Sequence, residues 1–277
     1  MIAAPFLLYL GHSADFIGIK TSRGLAAFRR HDCVGEFRHD DSPLTLDLPR
    51  MTIPQAAAAG AKTLVLGIAN AGGRIDESMV ADALAALDAG MHVAAGLHQR
   101  LRDVPALVAR AAERGLSLID VRDPPADLKV GTGYAREGNR ILTVGTDCSV
   151  GKMYATIALA EGLRARGLDA DFRATGQTGI LIAGSGVPLD AVVADFISGA
   201  VEHLAPARHD CGWDVIEGRA RCSILRSRGF PPGCCTVRRR RHWCCATTLR
   251  AATCAGFPVA HCPRWKRASP PILPPRG

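Results

Sequence analysis

The chain has 277 residues, 48% hydrophobic and 22% charged, with a formal net charge of +8. That is room for one large or two ordinary domains with an ample core, and no run reaches the ~18 apolar residues of a membrane-spanning helix. The charge is lopsided: residues 219–277 hold thirteen Lys/Arg and no Asp/Glu, whereas residues 1–218 hold twenty-one and twenty-six. The first 218 residues therefore read as a mildly acidic enzyme body, with Cys33, Cys148 and Cys211 and no disulfide framework. The N-terminus lacks a basic region ahead of its apolar stretch, so it reads as a first strand and not a signal peptide. A cytoplasmic protein is expected.

In chain order, residues 5–10 form the first strand, stopped by Gly11. Lys20-Thr21-Ser22-Arg23-Gly24 precedes a short helical stretch. Residues 62–68 are a second apolar strand, running into the loop Asn70-Ala71-Gly72-Gly73-Arg74. Residues 77–89 have helical periodicity, with Val80, Leu84 and Leu87 on one face and Gly90 as the stop. Residues 91–95 are a third strand, leading to Gly96-Leu97-His98. Residues 101–114 are a helix with Val104, Leu107, Val108 and Ala111 inward, and residues 116–121 a fourth strand. Strands alternating with helices predict a parallel sheet covered on both faces. Ligands in such sheets sit at the carboxyl ends of the strands, which places residues 70–74 and 98–100 on a functional rim. The first strand has no GxGxxG after it, so NAD binding is not expected. Residues 123–126 are a linker.

A second α/β unit follows. The strand 141–144 enters the loop Gly145-Thr146-Asp147-Cys148-Ser149-Val150-Gly151-Lys152 at the start of an amphipathic helix. Strand, Gly-bounded loop and Lys at a helix start define a P-loop, whose backbone N–H groups and helix N-terminus bind phosphate oxygens. Five residues separate the glycines, as in the GTDxxVGK form of dethiobiotin-synthetase-like P-loop proteins. The Ser/Thr that normally follows the Lys and holds Mg²⁺ is Met153, a poor ligand for a hard cation. This favours a different phosphorylated cofactor over NTP hydrolysis. Residues 170–174 are the next strand, leading to the polar loop Thr175-Gly176-Gln177-Thr178-Gly179. Trp213-Asp214-Val215-Ile216-Glu217-Gly218 reads as a strand ending in acids aimed at the cofactor site. Asp214 and Glu217 are candidates for a base or metal ligand; two solvated acids are the alternative.

With these pieces in place, the chain resembles the DgcN-type proteins, long catalogued as a domain of unknown function. The segments KTSRGLAAF, GIANAGGRI, AGLHQRL, GTDCSVGKMYAT, RATGQTGILIAGSGVPLDAVVADFISGAVE and WDVIEG carry the resemblance across most of residues 5–218. It implies an N-terminal Rossmann-like domain joined to a P-loop domain. It also implies transfer of acetyl from acetyl-CoA to the amine of D-glutamate. Under that reading residues 145–152 hold the CoA diphosphate, no metal is needed, and Asp214, Glu217 or Asp147 is the base the amine needs. Lys20, Arg74 and Arg100 are cations of the right type for a dicarboxylate. Thr175, Gln177 and Thr178 line the loop that offers N–H donors to the thioester oxygen. Cys148 is either an acyl carrier or a loop residue packed on the helix, and His98 either a rim contact or structural. The competing classes are an ATP- and Mg-dependent ligase or kinase of dethiobiotin-synthetase type and a non-catalytic nucleotide-binding regulator. A small-molecule substrate is expected, with neither nucleic acid nor membrane as partner, and a homo-oligomer is compatible.

The fold class expected is α/β: a Rossmann-like parallel-sheet domain (1–126), a truncated P-loop NTPase-like domain (127–218) and an aberrant tail (219–277). The family continues past Gly218 with Gln-Gly-Ser, but this chain has Arg219-Ala220-Arg221, four consecutive arginines (Arg238 to Arg241) and paired cysteines. The tail reads as a basic Cys/His zinc or nucleic-acid module, as a disordered segment, or as a shifted reading frame. Back-translated into G+C-rich codons and read one base earlier, it contains an apolar strand, PLVLC, amid turn signals and mixed charges. A shifted frame would leave the P-loop domain short of strands, and such a chain is expected to be inactive or poorly folded with its N-terminal domain intact.

Overall fold

The computed structural model describes residues 2–145 and 150–219, and the backbone of residues 243–246. Strands β1 (Phe6–Gly11), β2 (Cys33–Arg38), β3 (Thr63–Leu66), β4 (His92–Ala95) and β5 (Leu118–Asp120) form one parallel sheet in the order β2-β1-β3-β4-β5. β1 and β3 are buried along their whole length, as expected of apolar strands covered on both faces. Alternation sends Leu7, Tyr9, Leu64, Leu66, Val93 and Ala95 to one face. There they meet α2 (Ile53–Ala58), α3 (Glu77–Asp88) and α4 (Pro105–Arg114). The starts of these helices are written locally. Thr52 and Gln55 form a capping box, Asp76 accepts from the Met79 N–H at 2.8 Å, and Pro105 opens α4.

The other face of this sheet is not closed by its own domain alone. Phe6, Leu8, Val65 and Ala94 pack on Leu25 and Ala26 of α1 (Lys20–Phe28) and on Ala174, Ile180 and Leu181. Ile180 and Leu181 belong to α6 (Gln177–Ala183) of the second unit. Helix α6 lies close to α1 and to the end of β4 because a glycine stands at each contact. A Cβ on Gly24 would lie 2.5 Å from the Thr178 methyl, and one on Gly96 would lie 2.7 Å from the Gln177 Cβ.

In the second sheet β6 (Asn139–Gly145), β7 (Ala170–Arg173), β8 (Trp213–Ile216) and β9 (Trp243–Ala246) run parallel in the order β7-β8-β6-β9. Helix α5 (Lys152–Arg164) packs Ala160 and Leu163 on Ile141, Ala170 and Val215. Helix α7 (Ile197–Leu204) covers Ile216 on the opposite face together with Val187 and Leu189.

The structure departs from the sequence expectation in several places. The edge strand β2 was not foreseen. Residues 177–183, expected to begin within a polar loop, form α6. The helix expected from residue 101 starts at Pro105 after a 3-10 turn, and Val108 is exposed, not inward. Within the tail, residues 243–246 form β9, paired to β6 from Leu142↔Trp243 to Gly145↔Ala246. The rest of residues 220–277 lies outside the described residues. The position of β9 bears on the reading frame. His ends in C or T, Trp is always TGG, and Cys ends in C or T. One base earlier, His242-Trp243-Cys244-Cys245 therefore reads Leu-Val-Leu whichever synonymous codons are used. Those three apolar residues, of the kind a buried parallel strand needs, fall on the stretch that pairs with β6.

Resequencing the gene around codon 219 is expected to find a one-base change that restores Leu-Val-Leu at β9; an unaltered frame would contradict the shift. Leu181→Ala is expected to cost roughly 2–5 kcal/mol. Urea unfolding followed by probes in each domain should then show both transitions moving together, whereas a shift confined to the second domain would contradict a shared core.

Candidate functional site

The carboxyl ends of β6, β7 and β8 meet at the start of α5. Gly151, at φ +95°, turns the chain into the helix, a conformation that suits glycine. Lys152 opens α5 and is only 8% exposed. Its stem lies across Gly145 and beside Gly218: Cβ atoms built there would sit 3.1 Å and 3.6 Å from its Cδ. Beneath it Thr156 Oγ1 donates to the Lys152 carbonyl at 2.6 Å and shares a 2.7 Å hydrogen bond with Thr143 Oγ1. Thr143 Oγ1 accepts from the Gly218 N–H at 3.2 Å. These bonds tie the first turn of α5 to β6 and to the end of β8. A buried, anchored ammonium at a helix N-terminus suits an anion. Thr146, Asp147, Cys148 and Ser149 lie outside the described residues, so the readings placed on them stay with the sequence.

Glu217, 6% exposed, is the acid at this end of the sheet. Its Oε2 accepts from the Thr175 N–H at 3.0 Å and the Gly176 N–H at 3.2 Å, while Thr175 Oγ1 donates to the Glu217 carbonyl at 2.9 Å. Burial raises its pKa above the ordinary value, and the two N–H groups, Arg219 and Lys152 oppose that rise.

Asp214 is placed elsewhere. It pairs in register with Arg140 at the start of β6, five residues and roughly 16 Å of strand from Gly145. It is fully buried and ion-paired with Arg173 (2.8 Å), Arg208 (3.4 Å) and Arg140 (3.7 Å). The expectation that it faces the cofactor is corrected: on a parallel strand only residues at the carboxyl end reach the rim, and Asp214 is at the amino end. It serves as a counter-ion.

The expected substrate residues also separate. Thr175 is buried, and its N–H and that of Gly176 are taken up by Glu217, so they are not available to a thioester oxygen. Thr178 Oγ1 is bonded to Thr21 Oγ1 at 2.9 Å and Gln177 packs on Gly96, so both lie in the domain contact. Lys20 and Arg74 are exposed, Lys20 opening α1 and Arg74 closing the loop after β3. Arg100 is exposed but paired with Asp123 at 2.8 Å. Met153 turns to the domain contact, its methyl 3.7 Å from where a Gly24 Cβ would be. The residue that in Mg-nucleotide proteins offers a hydroxyl is here part of the packing between domains.

Sequence reasoning missed a set of charges joining the two rims. Arg122, just past β5, pairs with Asp190 and donates to His98 Nδ1 at 3.1 Å; Arg219 pairs with the other oxygen of Asp190 at 2.8 Å. Nothing in their spacing signals this, because the four residues come from four separate segments. Among the described residues no cluster of His, Cys, Asp and Glu is arranged to hold a metal, and no helix is long and apolar enough to cross a membrane.

A Rossmann-like sheet sharing its core with a parallel P-loop unit defines a two-domain α/β protein. Family models agree: residues 33–124 match the Rossmann-like domain and residues 129–229 the P-loop domain of a family described as a domain of unknown function, DUF1611. The chain belongs to the DUF1611 family. It is 48% identical over 219 residues to a D-glutamate N-acetyltransferase of Tritonibacter scottomollicae, covering 79% of this chain and 66% of the relative. It is 44% identical over 222 residues to a D-glutamate N-acetyltransferase of a Pseudoalteromonas species, covering 80% and 67%. The chain thus spans about two thirds of the length of these curated relatives. A crystal structure of a DUF1611 family protein from Anabaena variabilis is similar at 31% identity with a TM-score of 0.71, covering 82% of this chain and 69% of that one.

The raised pKa of Glu217 gives a stability test. Above the ordinary value of 4.5 the unfolded chain has released a proton that the folded protein keeps until its own higher pKa. Stability therefore falls as pH climbs through that window, by up to about 1.4 kcal/mol per pH unit. Urea titrations across the window are expected to show this fall in the unsubstituted chain and its loss in Glu217→Gln; equal slopes would contradict it.

Proposed function

We propose that this protein is a cytoplasmic N-acetyltransferase that moves acetyl from acetyl-CoA to the amine of D-glutamate. The names of the two curated relatives above supply D-glutamate and the acetyl group; acetyl-CoA as the donor is what the family resemblance implies. The observation that carries the assignment to this chain is the buried Lys152 beside Met153: an anion site that keeps the cation of a P-loop and gives its Mg²⁺ hydroxyl position to domain packing. A CoA diphosphate suits such a site because no metal is needed to seat it, whereas a Mg-nucleotide leaves its metal one ligand short. Acetyl-CoA, when bound, supplies the activated acetyl group.

Lys152 and the first turn of α5 would hold the diphosphate. An ammonium must lose a proton before it is a nucleophile. Glu217 is suited to take it, since burial brings a carboxylate's pKa closer to neutrality and so makes it a stronger base. Its two backbone N–H bonds fix its orientation. Lys20 and Arg74, exposed on the N-terminal rim, are the cations for the substrate's carboxylates. Arg100 has less to offer because Asp123 already neutralises it.

Calorimetry is expected to show CoA binding without Mg²⁺. Tight Mg-dependent ATP binding with no CoA binding would contradict the proposal and promote the ligase reading. Lys152→Ala is expected to weaken CoA binding by roughly 1.5–3 kcal/mol; unchanged affinity would show that the loop does not hold the diphosphate. Thioester loss from acetyl-CoA, assayed against a panel of D- and L-amino acids with this chain and with its frame-restored counterpart, is expected to be greatest with D-glutamate.

A further inference from the structure

His98 lies at the carboxyl end of the N-terminal sheet, beyond β4, and is exposed. Contacts of His98 and of its neighbour Gln99 fix its place. A Cβ on Gly73 would sit 2.5 Å from His98 Cδ2, so the ring lies on the glycine loop after β3. The Gln99 N–H donates to the Gly73 carbonyl at 2.9 Å and Gln99 Oε1 accepts from the Ile75 N–H at 3.0 Å, pinning the two loops together. Arg122 Nη2 stands 3.1 Å from His98 Nδ1.

The last contact determines the state of the ring. A guanidinium has donors only, so Nδ1 must offer a lone pair. An imidazolium has none, and the other neutral tautomer carries its proton on Nδ1. The only state compatible with this bond is the neutral imidazole with its proton on Nε2. Arg122, which is 12% exposed, is itself held in place by its ion pair with Asp190. The turn carrying Asp190 is anchored by the Leu189 N–H, which donates to the Thr175 carbonyl at 3.0 Å. Thr175 is also the residue that binds Glu217. Meanwhile Gly96, two residues before His98, is packed on Gln177, two residues after Thr175. A short path of hydrogen bonds and ion pairs therefore links His98 on one domain to the buried carboxylate of the other.

We infer that His98 is a catalytic residue of the proposed transfer: a neutral imidazole whose Nε2–H donates to the acyl carbonyl oxygen as negative charge develops there. Arg122 and Asp190 are positioning residues that set the tautomer. The inference rests on the acetyltransferase reading. In the step, the amine lone pair bonds to the thioester carbon and the carbonyl π pair moves onto oxygen, where His98 Nε2–H stabilises it. Return of that pair reforms C=O and expels the thiolate, which takes the second proton leaving the amine nitrogen, the first having passed to Glu217 from the ammonium. His98 is not consumed and gains no proton. A neutral donor is suited to this task because it stabilises charge without presenting a proton that the attacking amine would take up.

Two readouts test it. The ¹⁵N ring resonances of His98 in the full chain near neutral pH are expected to show a bare Nδ1 and a protonated Nε2, and Arg122→Met is expected to abolish that bias. A protonated Nδ1 in the unsubstituted chain would overturn the inference. In the acetyl-transfer assay, on this chain and its frame-restored counterpart, His98→Ala is expected to lower kcat about 100-fold, the scale of losing one such donor. KM should change little, and His98→Gln should recover part of the loss by offering an amide N–H. A kcat for folded His98→Ala within about threefold of the parent would overturn the role, as would a loss confined to KM. No transfer by either unsubstituted protein would overturn the acetyltransferase reading itself, and the role of His98 with it; the ring shifts, which need no turnover, would then still decide its tautomer.

Discussion

Helix α6 buries Ile180 and Leu181 against the face of the N-terminal sheet that α1 leaves open, and the geometry of both rims follows from that contact. Each such side chain removed from water contributes on the order of 1.5–3 kcal/mol, a large fraction of the roughly 5–15 kcal/mol that separates folded from unfolded domains. The junction is close-packed, with Gly24 and Gly96 giving way to Thr178 and Gln177 and with the Met153 methyl beside Gly24. The P-loop unit is therefore built into the N-terminal domain and not appended to it. Because α6 follows directly on the loop that binds Glu217, packing in the core sets where that carboxylate stands.

Electrostatics divide the second sheet into two ends. At the amino end Asp214 is surrounded by Arg140, Arg173 and Arg208, which compensate its burial. At the carboxyl end Lys152 and Glu217 are both buried, and Glu217 is held by two N–H donors and has its pKa raised by burial. These two groups are the ones the proposed transfer uses, Glu217 as proton acceptor and Lys152 as the cation for the diphosphate.

Much of this was legible in the sequence because it is local. Apolar strands such as residues 6–10 and 63–66, the periodicity and Gly90 stop of α3, and the strand-loop-Lys order of the P-loop all announce themselves, whereas α2 was not foreseen. β2 did not, because an edge strand of Cys-Val-Gly-Glu-Phe-Arg is only partly buried and has no clear period. α6 was hidden by the Thr- and Gly-rich start of its segment, residues whose helical state is decided by packing on another domain and not by propensity. Asp214 and Glu217 looked alike on paper. Only the register of β8 against β6 separates an acid at the amino end from one at the carboxyl end. The partners of Met153, Thr178 and Arg122 lie far away in the chain, and no spacing rule reaches them.

The central claim is that one site is assembled from both domains. Hydrogen exchange of the backbone amides, compared with and without CoA plus D-glutamate, tests it most directly. The account predicts that residues 67–74 and 96–98 gain protection together with residues 150–152, 175–178 and 217–218. Protection confined to the second set, with the N-terminal rim unchanged, would contradict it.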